Sequence, residues 1–260
     1  MGVLHQSSNK RNKQFKVLSL ITCVMILVGR LLFTIPAAPV KNIHAFDDLM
    51  DAPTWTTSLY RFTKGQPVVF VNSYRLPALY QYYYPEAKTF GYNTVGYRKT
   101  QFNLYSDAFL NTKPVYITGT NSLPGSTNFL NTPYDTFCIQ RLYSYKAVCH
   151  LQLKWLQPVK TFRKAKKNTV TLLLCNTGKD TIAATGLAMN YTFLKTRSEQ
   201  FTPRAMLPLQ EPFLPPGHQK RIYLDIELPN ERGTYALVFS MVQPPLAGTF
   251  ASPLYKVHVE

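Results

Sequence analysis

The residues best suited to chemistry in this chain are Asn72, Tyr74 and Arg75, followed at short spacing by Tyr82, Tyr83 and Arg98. The first three come directly after an apolar run, residues 67–71, that reads as a buried strand. Ligand sites in α/β units gather at the C-terminal ends of strands. Tyrosine rings stack on sugar rings, and the arginine fork holds phosphate through paired hydrogen bonds. The same aromatic residues would equally serve as packing or as a belt at lipid-headgroup depth. The sequence leaves both readings open.

Signatures of catalysis are missing. There is no phosphate-binding Gly-x-x-x-x-Gly-Lys-Ser/Thr loop, no Gly-x-Gly-x-x-Gly and no Gly-x-Ser-x-Gly. His5, His44, His150, His218 and His258 are scattered and form no ligand pair of the kind a zinc site needs. Asp47 and Asp48 are adjacent, so on a helix they point apart and read as a helix start. No catalytic residue, metal site or cofactor is expected.

What must position the candidate residues begins at the N-terminus. Lys10, Arg11, Lys13 and Lys16 precede a mostly apolar stretch, residues 17–35. At about 1.5 Å per residue that stretch spans a hydrocarbon core of about 30 Å. Residues 1–16 are then a basic cytoplasmic leader and 17–35 a transmembrane helix, longer than the apolar part of a signal peptide and without a clean small-x-small cleavage site. The rest of the chain would lie outside the cytoplasmic (inner) membrane, in the periplasm or its equivalent. Arg30 sits inside the span, where a charge either snorkels to the interface or faces a helix bundle or a lipid phosphate.

The chain carries a formal charge of +16. Setting aside the four leader charges and Arg30, 24 of the 29 basic residues remain against 13 acidic ones. Such a field attracts anionic envelope components or simply keeps the surface soluble; beyond a membrane, nucleic acid is not an expected partner. Of the four cysteines, Cys23 lies in the span and Cys175 ends an apolar run. Cys138 and Cys149 flank residues 139–148, a stretch that could be a hairpin. They would then form a disulfide if cross-strand and extracytoplasmic, or remain two buried thiols.

The pattern along the chain predicts an α+β protein. Residues 36–135 read as a membrane-proximal small α/β unit, opened by a leading segment with a helical turn near 45–50. Strands are expected at 67–71 and 114–118, a short helix at 76–84, and an extended or looping segment at 94–105. Residues 136–260 read as an immunoglobulin-like antiparallel β-sandwich, with strands at 147–155, 169–175, 187–194, 221–228, 234–241 and 254–259. The clearest is 221–228, where Ile222, Leu224, Ile226 and Leu228 alternate with Arg221, Tyr223, Asp225 and Glu227.

Several of these segments together resemble a family. Pro67-Val68-Val69-Phe70-Val71-Asn72-Ser73-Tyr74, the segment ending Tyr82-Tyr83, Tyr97-Arg98-Lys99-Thr100-Gln101-Phe102 and Lys113-Pro114-Val115-Tyr116-Ile117 are similar to the region after the last membrane span of Bacteroidetes-type glycosyltransferases. These belong to the dolichyl-phosphate-mannose protein mannosyltransferase and aminoarabinose transferase superfamily. The span with Arg30-Leu31-Leu32 resembles that family's final helix, and the Pro216-Gly217 turn and Gly233-Thr234-Tyr235 fit its tail. The resemblance covers nearly the whole chain.

It implies a non-catalytic C-terminal portion of an enzyme that uses a polyprenyl-phosphate-linked sugar. The other membrane spans of that transferase, which carry its catalytic acid, would be the partner. It also implies that Asn72, Tyr74, Arg75 and Arg98 lie near the acceptor or lipid-phosphate entrance. The competing reading is a stand-alone, single-span binding or assembly protein of the cell envelope.

Overall fold

A computed structural model describes residues 2–34, 47–103, 105–120, 123–126, 128–164, 168–196, 199–203 and 206–260. They form two compact units, Met1–Pro53 and Thr54–Glu260.

In the first unit, helix α1 (Gly2–Thr34) runs without a break from the basic leader into the apolar stretch. Its segment Lys13–Leu31, 19 residues, is long and apolar enough to cross a membrane. Apolar side chains from Val17 to Leu31 are exposed around the helix, as a lipid-facing helix requires. The expected end of the span, at residue 35, lies outside the described residues. Helix α2 (Asp47–Met50) begins at the predicted acidic pair, and residues 45–46 of the expected turn are also outside the described residues.

Helix α3 (Ala52–Thr63), where the sequence suggested only a leading segment, starts at the end of the first unit and runs into the second. Trp55, Thr56, Leu59 and Thr63 are fully buried, at helical spacing. They face strand β1 (Val68–Val71), which leads into helix α4 (Arg75–Tyr83). Trp55 packs edge-on against Phe70 at 6.3 Å and is stacked with Tyr80 at 6.5 Å. Strand β2 (Thr89–Tyr92) pairs parallel with β1, and so does β3 (Val115–Gly119) on the other side. Val68, Val69 and Phe70 are all buried, which is why the run reads as continuously apolar rather than alternating.

Strands β4 (Asn128–Asn131) and β5 (Thr136–Leu142) complete this sheet in antiparallel fashion, in the order β2-β1-β3-β5-β4. The expected boundary between residues 135 and 136 therefore falls inside the sheet. β5 covers the open edge of β3 and buries Phe137 and Ile139 there, so the α/β part continues to Leu142.

The rest is antiparallel but for one short pairing. In chain order the strands are β6 (Leu151–Trp155), β7 (Thr161–Phe162), β8 (Thr169–Asn176), β9 (Ile182–Ala183), β10 (Ala188–Leu194), β11 (Gln200–Phe201), β12 (Leu207–Pro208), β13 (Phe213–Leu214), β14 (Gln219–Asp225), β15 (Gly233–Val242), β16 (Thr249–Phe250) and β17 (Tyr255–Val259). One sheet runs β11-β10-β15-β17-β7, with β12 on β10 and β16 on β15. β17 and β7 are the parallel pair. A second sheet runs β14-β8-β6, and β13 pairs with β9.

Leu153, Leu172 and Leu174 of the three-stranded sheet belong to the same buried cluster as Phe193, Leu237 and Phe239 of the larger one. Trp155 bridges them, stacked with Phe162 and edge-on to Phe239, both at 5.9 Å. That cluster also contains Val69, Phe90, Tyr92 and Ile117 of the α/β part, so the second unit has one continuous core.

Candidate functional site

β1 ends where the sequence places its polar cluster. Asn72 adopts a left-handed backbone conformation, φ 53°, which asparagine tolerates better than most residues. Its N–H donates to the Tyr92 carbonyl at 2.9 Å. Its Oδ1 accepts from the Thr94 N–H at 2.9 Å and from the Thr94 hydroxyl at 3.0 Å. Ser73 Oγ then accepts the Leu76 N–H at 3.1 Å, covering one of the donors that the first turn of α4 leaves open.

Asn72 thereby fixes the start of the loop formed by residues 93–103. Asn93 donates from Nδ2 to Thr100 Oγ1 at 2.7 Å and to Asn103 Oδ1 at 2.8 Å. Asn103 Oδ1 also accepts the Thr100 N–H at 2.8 Å. On the far side, Thr249 donates its hydroxyl to the Asn93 carbonyl at 2.8 Å, and Val95 N–H donates to the Gly248 carbonyl at 2.9 Å. The loop is thus tied to α/β sheet and β16 alike. Such fastening removes in advance much of the entropy that ligand binding would otherwise cost.

What the loop presents is cationic. The Arg98 guanidinium lies over the Tyr74 ring, 4.5 Å from its centre. Hydrogen bonding to Tyr74, then to Tyr97, raises its pKa further. The Lys99 ammonium lies over the Phe250 ring at 4.8 Å. Both side chains are exposed, and among the described residues neither is in an ion pair with a carboxylate. Two neighbouring cations are therefore oriented by ring faces and remain available to an anion.

Of the predicted site residues, the structure brings together Asn72, Tyr74 and Arg98. Arg75 begins α4 and is half-buried beside them. Tyr82 and Tyr83 are at the opposite end of α4, about 12 Å of helix away, in an edge-on pair at 5.2 Å with Tyr82 76% exposed. They do not join the cluster, because residues 76–81 separate them from Arg75 along the axis. Arg30 is an exposed residue of α1 in the other unit.

Cys138 and Cys149 are free thiols. The stretch between them is not a hairpin: Cys138 lies in β5 opposite Gly119 and Phe129, and the chain after Leu142 wraps around Asp107 instead. That buried carboxylate accepts the Tyr145 hydroxyl at 3.0 Å and the N–H groups of Val148 at 3.1 Å and Cys149 at 3.3 Å. Burial raises its pKa, while the bonds from Tyr145, Cys149 and Val148 pull it back down. Burial likewise pushes the pKa of the Cys149 thiol well up, which disfavours its thiolate.

Sequence reasoning missed Asp107 because its partners are 38 to 42 residues away. It also missed Ser106, whose hydroxyl meets His150 Nε2 at 2.6 Å on the exposed side of the same wrap. Among the described residues no His, Cys, Asp and Glu group could hold a metal.

No protein-family model matches the chain, and no curated protein matches it. Among solved structures, it is similar to the CARDB domain of a Pyrococcus furiosus protein, at 13% identity and a TM-score of 0.28, covering 42% of this chain and 94% of that domain. It is also similar to the alkylpurine DNA glycosylase AlkC of Pseudomonas fluorescens, at 12% identity and 0.28, covering 43% of this chain and 30% of that one. A β-glucosidase from Listeria innocua in complex with gluconolactone gives 12% and 0.28, over 51% of this chain and 19% of that one. The chain thus spans less than a third of either enzyme's length.

Proposed function

We propose that this chain is the membrane-anchored, extracytoplasmic and non-catalytic C-terminal portion of a lipid-linked-sugar-dependent glycosyltransferase. It assists engagement of the acceptor or of the polyprenyl-phosphate-linked sugar. In this reading α1 is the tether in the inner membrane, with its basic leader in the cytoplasm. The strands after β5 form an immunoglobulin-like sandwich that backs the α/β part.

The observation that carries the reading is the fastened loop, residues 93–103. It offers Arg98 and Lys99 at the C-terminal side of the parallel strands, each on an aromatic face. Forked and point cations next to ring surfaces suit a sugar or phosphate group better than an apolar client.

The test has two parts. DNA preceding the Met1 codon is read for a series of further apolar spans with an acidic residue in the first outer loop. In the assembled enzyme, Arg98→Gln combined with Lys99→Gln should lower sugar transfer about tenfold, a loss of about 1.4 kcal/mol, at unchanged membrane level. Full transfer by that variant, or an unrelated gene upstream, would leave the stand-alone envelope binding protein as the better reading.

A further inference from the structure

Two cavities open on either side of Lys99 and Phe250. One, of about 430 Å³, is walled by Val95, Tyr97, Arg98, Leu194, Ala236 and Leu254. The other, of about 660 Å³, is walled by Asn103, Gln152, Lys154, Ser252 and Tyr255 among others. Both include Lys99 and Phe250, so the two cavities adjoin there, and we read them as one trough from the fastened loop to β6.

Cations stand at intervals along this trough. Arg98 and Lys99 line the first cavity, and Lys154, exposed on β6, lines the second together with Lys99. Among the described residues none of the three is paired with a carboxylate, whereas Lys195 at the rim is held by Glu231 at 3.0 Å and Glu199 at 3.7 Å. Between the cations lies half-exposed ring and aliphatic surface from Tyr97, Phe250, Tyr255 and Leu254.

Two of the bordering backbone donors are already used. Val95 N–H goes to Gly248 O at 2.9 Å and Leu153 N–H to Ala251 O at 2.7 Å. A peptide adding as a strand would find these two donors taken, which weakens the usual source of affinity for an extended peptide.

We propose that this trough binds an anionic oligosaccharide, a run of sugar rings carrying carboxylate groups. The carboxylates would meet Arg98, Lys99 and Lys154, and the rings would lie against Tyr97, Leu254 and Tyr255. Negative groups recurring from ring to ring match cations spread along both cavities, where one terminal phosphate would engage only one end. This rests on the reading that the same face meets the acceptor, and it names the acceptor's chemistry.

The experiment is calorimetric titration of the full chain, held in neutral-lipid nanodiscs, with trigalacturonate, maltotriose and inorganic phosphate. Saturable binding of trigalacturonate is expected, about tenfold or more tighter than maltotriose and weakened at about 0.5 M salt. Arg98→Gln with Lys99→Gln should weaken it about tenfold. Lys154→Gln, an exposed change remote from the loop's anchors, should weaken it about threefold, as one exposed charge pair would. Equal affinity for maltotriose, full competition by equimolar phosphate, or indifference to both variants would overturn the proposal. Binding is read on this chain alone, so it stands or fails independently of what the upstream DNA encodes.

Discussion

Asn72 and Thr94 are joined twice, since one side-chain oxygen of Asn72 accepts both the N–H and the hydroxyl of Thr94. The pairing gives Asn72, expected as a ligand contact, a positioning role as well: it sets where the loop carrying Arg98 begins.

Replacing Asn72 therefore separates two effects. Asn72→Gly keeps the left-handed backbone easy but loses the acceptor; Asn72→Ala loses the acceptor and strains the backbone as well. Alanine should cost about 1–3 kcal/mol, with the Thr94 N–H left short of a partner, and glycine less. Thermal unfolding of the full chain in detergent checks the order. Equal destabilisation by both would mean that the backbone conformation carries no strain.

Gly91 in β2 supports the same loop from below. A Cβ there would stand 2.6 Å from the Phe102 ring and 2.9 Å from the Ser73 carbonyl oxygen. The ring could shift, but the Ser73 carbonyl belongs to the turn that ends β1. Gly91→Ala should then destabilise by about 1–3 kcal/mol, the usual cost of overpacking. Adding Phe102→Leu should recover only part of the loss, because the carbonyl contact stays. Denaturant unfolding of the single and double variants measures that remainder.

The sequence was most legible where burial imposes a simple period. β8, β10, β15 and β17 lie within a residue or two of their expected positions, because alternating or continuous apolar runs of this kind are read directly. β14, at Gln219–Asp225, starts and ends earlier than 221–228, although Ile226 N–H still donates to Asn168 O, its next partner in register across β8, at 2.7 Å.

Less legible were α3, β2 and β5. In α3 the buried set Ala52, Trp55 and Leu59 has helical spacing but is interleaved with threonines, whose β-branching weakens the helix signal. β2 carries Gly91 where Phe102 needs room, which blurs a strand pattern. The strand expected from residue 147 begins only at Leu151, since residues 145–149 are spent on Asp107. Tyr74 and Arg98 were foreseeable as a pair by residue type, whereas their cradle of Asn72, Asn93, Asn103 and Thr249 depends on contacts up to 156 residues apart.

Asp107 should give the second unit a recognisable pH signature. Burial raises its pKa in the folded state, so the folded chain holds the proton after the unfolded chain has released it. Its contribution is full below the unfolded value of about 3.9 and is lost as pH rises through the folded value. Asp107→Asn removes this titration and turns an amide N–H toward one of the two backbone donors, costing about 1–3 kcal/mol. The gap between wild type and variant should be widest in mild acid and shrink toward neutral pH, as read by paired thermal melts. A gap that widened with pH would show that the carboxylate is held in its charged form.

Arg30 tests what α1 does beyond spanning. It is an exposed residue within Lys13–Leu31, and the residues around it are apolar. Leucine in its place removes a charge that is never favourable inside a span, so insertion itself should not suffer. Under the proposed orientation, the bias of Lys10, Arg11, Lys13 and Lys16 is untouched, so external protease should still reach the second unit in both proteins. Under the proposed function α1 docks against other spans, and Arg30→Leu should reduce their co-purification while resistance to carbonate extraction stays the same. Unchanged co-purification would leave the charge with a snorkelling role only, because a lone anchor has no bundle contact to lose.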